Sequence, residues 1–397
     1  MVRTCGRFRL GGVLVVFLAL AMAASARGQA PVAGPRPAVA PRPGIQPKSG
    51  AGKTVAAPSG RVERTRAEVE AAIQKAGATP PDWWNSVPLA YPKTLELTWT
   101  QPPKGTPWTP NKYLGQYIWG TINENPSRWR EGAKLMHHVL TVNKDDQAKL
   151  ARTMDALARI YHELLADWAR AAFWWRKAAV TDTDYADDVA LELAHCYWKL
   201  GSKEMAATVL GRFETDDTAG GNVIRLWAEI GELDKALALA EAVAREGYPD
   251  IGYLAAGDSC RLAGRYPQAL DFYQKVVAAT KGWNQIKRNK ARAQASIEGI
   301  RAAQGLDILR VRDGTYTASS MGYAGPLEVE VTVQGGRIAS VKVTKYQEKQ
   351  YYTALTDTPA EIVRLQGIKG VEAVSSATIT SEAIMNATMK ALVQGMK

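Results

Sequence analysis

The sequence predicts a multidomain protein: an all-α helical-repeat solenoid followed by a small α+β domain. Three observations lead there. From about Lys149 to Gln304, small and large apolar residues recur in a helix-pair frame. After Gln304 the apolar period changes from helical to alternating. Ahead of both lies a basic stretch rich in Pro and Ala, a composition that cannot bury a core. The expected divisions are 1–26 (leader), 27–61 (linker), 62–147 (helical and Pro/Trp-rich segment), 148–305 (helical repeats) and 306–397 (α+β domain), a plan that 397 residues accommodate.

Arg3, Arg7 and Arg9 precede an apolar run from Val13 to Ala24, and Ala24-Ser25-Ala26 is a small-x-small cleavage pattern. This reads as a secretory signal peptide, with an uncleaved anchor as the alternative. The run is shorter than the roughly 20 residues a spanning helix takes. The mature chain is therefore expected to be exported, to the periplasm or cell envelope. Arg27 to Arg61 carries Arg36, Arg42, Lys48 and Lys53 and no acidic residue between its ends, so it reads as a disordered tether. Its charge suits peripheral association with an anionic membrane.

Thr65-Arg66-Ala67-Glu68 is a capping box. Val69, Ala72, Ile73 and Ala76 then share a helical face, with Gly77 placed to end the helix. Thr79 to Trp108 is dense in Pro and Trp and reads as an irregular arm packed by its aromatics on the following helices, with a ligand surface as the alternative. The clearest repeat is Tyr253, Ala256, Gly257 and Cys260, then Gly264-Arg265-Tyr266-Pro267-Gln268-Ala269, then Tyr273 and Val276. The frame recurs at Ala194, Tyr197, Gly201, Ala206, Leu210 and Phe213, and at Trp227, Gly231, Ala236, Ala240 and Val243. A looser copy carries Ala158, Tyr161, Ala171, Trp175 and Ala178. It resembles the tetratricopeptide repeat, a platform for protein partners.

Cys5 precedes the apolar run and cannot be a lipoprotein acceptor. Cys196 and Cys260 fall on first helices with one repeat between them, beyond disulfide reach, so both are expected as free, buried thiols. Without Cys-x-x-Cys-His there is no covalent c-type haem. His137, His138, His162 and His195 all lie in the helical half with no metal-ligand spacing, so no metal site is expected. The formal charge of +11 suits an anionic partner or plain solubility, and nothing calls for nucleic acid.

In the last domain, Leu327, Val329, Val331 and Val333 alternate with polar residues as a half-buried strand. Gln334-Gly335-Gly336 turns the chain into a second strand from Arg337. Thr358-Pro359-Ala360-Glu361 reads as a capping box ahead of Ile362, Val363 and Leu365. Val371 to Val374 reads as a short strand, and Lys345, Tyr346 and Glu348 as a solvated strand end. Thr380-Ser381 opens a final helix with Ile384, Ala387, Ala391 and Leu392 inward. Hydroxyls and free amides at such a helix N-terminus favour a phosphate, although Ser and Thr are also ordinary caps. Tyr323, Gly325 and Pro326 either shape a turn or line a ligand.

The runs Asp313-Gly314-Thr315-Tyr316, Gly322-Tyr323-Ala324-Gly325-Pro326-Leu327, Gly335 with Arg337 and Ile338, and Val371-Glu372-Ala373-Val374-Ser375-Ser376-Ala377-Thr378 with Thr380-Ser381 resemble the FMN-binding domain family. That family includes flavin-bearing subunits of sodium-pumping and Rnf-type electron-transfer complexes. The resemblance spans nearly all of Gly314 to Lys397. It implies FMN as cofactor, taken from FAD by a flavin transferase as a phosphoester on the last threonine of Ser/Thr-Gly-Ala-Thr, which falls on Thr378. Ser376 stands where the family has glycine, and Glu372 where it usually has aspartate. The implied cofactor-binding set is Thr378, Ser375, Ser376, Ala377, Thr380, Ser381, Glu372, Gly322, Tyr323, Gly325, Pro326 and Leu327. No catalytic residue is expected, since the redox chemistry belongs to the flavin. The expected function is an exported electron-transfer flavoprotein docked to redox partner proteins through its repeats. The alternatives are a non-redox scaffold with a vestigial flavin domain and an FMN-dependent reductase of a small substrate.

Overall fold

Thr65 opens the first helix as a capping box. Its side chain accepts from Glu68 N, and Glu68 reaches back to Thr65 N, opening α1 (Arg66–Ala78). The computed structural model describes residues 62–181, 189–214, 216, 220–348, 353–374 and 377–396. The expected leader and linker, and Ser375 and Ser376, lie outside the described residues. Gly77 does not end α1. It lies within the helix, where a Cβ would fall 2.1 Å from the Phe173 ring, so glycine permits that ring's approach.

The Pro/Trp arm packs on the helices that follow. Trp99 Nε1 donates to Thr153 Oγ1 at 2.7 Å, Lys134 Nζ to Trp84 O at 2.8 Å and Asn143 Nδ2 to Leu97 O at 2.9 Å. Next come α2 (Leu114–Tyr117), α3 (Trp129–Val142), α4 (Gln147–Arg159) and α5 (Trp168–Thr181). Single π-helical turns extend α2 and α4, over Ile118–Ile122 and Ile160–Leu164.

Three hairpins follow: α6 (Ala190–Lys199) with α7 (Lys203–Leu210), α8 (Gly221–Glu229) with α9 (Leu233–Arg245), and α10 (Pro249–Leu262) with α11 (Tyr266–Ala278). Each turns at a glycine with positive φ: Gly201, Gly231 and Gly264. After each glycine, the next amide reaches back to the same place in the first helix: Ser202 N to Tyr197 O, Glu232 N to Trp227 O and Arg265 N to Cys260 O, all at 2.8–2.9 Å. The helical half is thus consistent with repeats. Cys196 and Cys260 are free and buried in its core. The helix α12 (Ile286–Ala302) closes this half.

The second half is a three-stranded antiparallel sheet of order β1-β2-β3, formed by β1 (Gly314–Met321), β2 (Pro326–Gln334) and β3 (Arg337–Lys345). Leu327, Val329, Val331 and Val333 are buried, as their alternation predicts, against α13 (Ala354–Leu365) and α14 (Thr378–Gln394). Three expectations are corrected. Val371 to Val374 forms no strand: among the described residues its backbone ties are local, and no neighbouring strand offers a ladder. The Thr358 capping box does not exist, because α13 starts at Ala354 and holds Pro359 inside. Thr358 is buried instead and donates to Ser381 Oγ at 3.1 Å. Glu348 is not solvated but 6% exposed.

The two halves have separate apolar cores, and the seam between them is polar. Arg292 of α12 makes a bidentate pair with Glu382 of α14, Lys390 meets Glu298 at 3.1 Å, and Gly370 N donates to Leu262 O at 3.1 Å.

Candidate cofactor site

The site is built around the start of α14. Thr378 is the first helical residue, two residues earlier than the sequence predicts, and is half-buried. Ala377 occupies the cap position, and among the described residues no side chain caps the helix. A helix of 17 residues so begun presents its first-turn amides and the positive end of its dipole beside the Thr378 hydroxyl. The loop before it is held from below. Ser381 Oγ accepts from Val374 N at 3.0 Å and from Thr358, and Ala377 N donates to Val374 O at 3.0 Å.

A second element meets this loop. Between β1 and β2 the chain makes a tight turn, with Gly322 N donating to Gly325 O at 2.8 Å. Glu348 Oε1 accepts from Tyr323 N at 2.8 Å and lies 3.5 Å from Ala324 N, while the same carboxyl also bonds the Thr380 side chain. One buried carboxyl therefore ties the turn to the first turn of α14. A Cβ on Gly322 would lie 2.4 Å from Glu348 Oε1, so glycine is what lets this carboxyl in. Burial pushes Glu348 above the usual carboxylate range, against the opposing pull of those backbone and side-chain donors. The Tyr323 ring is 52% exposed, with the Arg288 guanidinium of α12 4.8 Å from its centre.

Thr378 also faces a cleft against the helical half. One wall is Val371, Glu372, Ala373, Thr378 and Glu382. The other is Arg225 and Glu229 of α8 with Asp258, Ser259, Arg261 and Leu262 of α10. Burial pushes Asp258 up, but Arg225, Arg292 and Arg261 outweigh it and hold the carboxyl below its ordinary value. Burial pushes Glu382 up, and there Arg292 and the other guanidiniums only partly offset it.

The predicted residues thus separate by role. Thr378 and Glu372 line the cleft, and Glu372 is ion-paired to Lys199 of α6. Gly322, Tyr323, Gly325 and Pro326 lie at or beside the turn. Thr380 is buried on Glu348, Ser381 fully buried under the loop, Ala377 buried at the cap and Leu327 buried in the sheet core. Glu348 and Arg261 were missed. Glu348 follows a strand as any polar residue might, and Arg261 sits in a repeat helix whose frame predicts only packing. A hydroxyl at a helix N-terminus, with a buried guanidinium across the cleft, fits a phosphate group. An exposed aromatic ring beside a glycine turn fits a flat ring system.

Residues 322–393 match the family of the FMN-binding domain. A protein of Treponema pallidum (strain Nichols), called only an uncharacterized protein, is 35% identical over 120 residues, covering 30% of this chain and 33% of its own. The chain thus spans about a third of the length of that curated relative. No solved structure matches significantly. The C-terminal domain is therefore an α+β domain whose family match supports FMN binding.

Proposed function

We propose that the chain is an exported electron-transfer flavoprotein that carries FMN as a phosphoester on Thr378. The observation that carries this reading is the placement of Thr378: half-buried, first in a 17-residue helix, inside the region matching the FMN-binding domain. Loading from FAD forms the bond between Thr378 Oγ1 and the flavin-side phosphorus and breaks the pyrophosphate link, with AMP leaving. A flavin transferase takes up the hydroxyl proton. The bound flavin supplies electron transfer. The chain's own residues hold the phosphate end at α14 and place the Gly322 turn against the ring. Tetratricopeptide-like repeats dock the redox partners, and the basic linker can rest on an anionic membrane. The leader directs the chain to the periplasm or cell envelope.

The test is mass spectrometry of the chain made in a host with the flavin transferase. The Thr378 peptide is expected to carry the mass of FMN less water, with yellow colour surviving denaturation, and Thr378→Ala loses both. A colourless wild-type protein from that host rules out the covalent reading and favours the scaffold.

A further inference from the structure

The charges on the Thr378 cleft do not cancel residue by residue. Of the four carboxylates lining it, three are matched: Asp258 by Arg225 at 2.7 Å, Glu382 by Arg292 at 2.9 Å and Glu372 by Lys199. Glu229 is the fourth, and it too is engaged by a neighbour. Arg261 lines the same cleft and is only 4% exposed. Among the described residues, no carboxylate oxygen lies within ion-pair distance of it. Its guanidinium donates to Met385 Sδ at 2.9 Å and bonds Tyr273, a thioether and a phenol. Those are neutral partners for a group that keeps its proton in any protein. Asp258 and Glu382 ease its burial only from a longer range. On the opposite wall α14 begins, with no cap from the side chain of Ala377, and presents its positive pole. Two independent features, one from each half of the molecule, thus call for a small oxyanion at Thr378.

We propose that Arg261 binds the phosphate of the flavin held at Thr378, so that the cofactor site is shared between the helical half and the α+β domain. This rests on the FMN reading above. A phosphodiester on Thr378 carries one negative charge at neutral pH, and Arg261 brings one positive charge with no carboxylate of its own. The guanidinium fork matches two phosphate oxygens, which fixes orientation as well as charge. Arg261 is a positioning residue: it holds the phosphate end, and the flavin ring lies elsewhere.

The full chain, made in a host without the flavin transferase, is titrated calorimetrically with FMN, riboflavin and inorganic phosphate. FMN is expected to bind at least about tenfold more tightly than riboflavin, the margin of one charged hydrogen bond, with phosphate competing. Arg261→Gln collapses that ratio toward one. Arg261→Lys keeps the cluster's charge and so serves if the Gln variant does not fold; it reduces the ratio several-fold, because an ammonium lacks the fork. A ratio near one in the wild type, or one that either folded variant leaves unchanged, overturns the proposal. The Thr378 adduct is read separately, from protein made with the transferase. Its absence sinks the covalent reading without altering what the titration says of Arg261.

Discussion

His162 is 1% exposed, and its Nε2 lies 2.7 Å from His195 Nδ1. Burial, with Arg159 and Lys199 nearby, lowers its pKa from 6.5 to about 3. The unfolded chain therefore binds a proton near pH 6.5 that the folded chain refuses until about pH 3. Stability is unaffected by this group above that window and falls as pH drops through it, by about 3 kcal/mol at pH 4. His162→Gln is expected to flatten the loss of urea stability between pH 6.5 and pH 4; an unchanged slope would show that other groups govern acid unfolding. Glu348 makes the same point at the site. Its position after a polar strand end suggests solvent, and only the fold reveals that two segments close over it. Glu348→Ala should cost about 1–3 kcal/mol by stranding the Tyr323 amide, with Glu348→Gln losing less, as urea midpoints would show. Thr378 was singled out because a motif names it. Glu348 and Arg261 were not, because each acquires its role from partners far away in sequence.

Elements were legible where one face is buried and the period is long enough to count. The β2 alternation and the inward face of α14 both appear as read, since Val329, Val331, Ile384 and Ala387 are fully buried. Val371 to Val374 misled because a short apolar run carries no period of its own, and here it spans from α13 to α14 without a ladder. Pro359 misled in the opposite direction: proline suggests a helix start, yet α13 tolerates it more than a turn inside. Close packing between helices is a further element-scale property that only the structure gives. At Gly252 of α10, a Cβ would lie 2.3 Å from Ala240 O and 3.1 Å from Ala244 N, both backbone atoms of α9. Alanine normally stabilises a helix interior by about 1 kcal/mol over glycine. Here forcing α9 and α10 apart outweighs that gain, so Gly252→Ala is expected to destabilise by about 1–2 kcal/mol in chemical denaturation. A gain in stability would mean that the α9–α10 contact opens without cost.

The whole molecule depends on a seam that hydrophobic pattern could not foretell, because charges make it. The two apolar cores are separate, and between them Arg225, Arg261 and Arg292 surround Asp258 and Glu382, with all five at least partly buried. Glu382 belongs to α14, four residues after Thr378, while Arg292 belongs to α12 and Arg225 to α8. The same carboxylate therefore joins the halves and stands next to the proposed flavin phosphate. Removing one member of a buried pair leaves the other charge uncompensated, a loss of about 3–5 kcal/mol, which is much larger than the value of an exposed pair. In Glu382→Ala three guanidiniums face Asp258 alone. The loss falls on the seam and leaves each core's own packing intact. Calorimetry of the wild-type chain is expected to show one transition, because neither half separates before the other melts. The Glu382→Ala chain should show two, with the α+β domain melting first, since its smaller core has lost its support. A single transition at the wild-type temperature in that variant would mean that the seam contributes little, and that the cleft at Thr378 lies between halves that move independently.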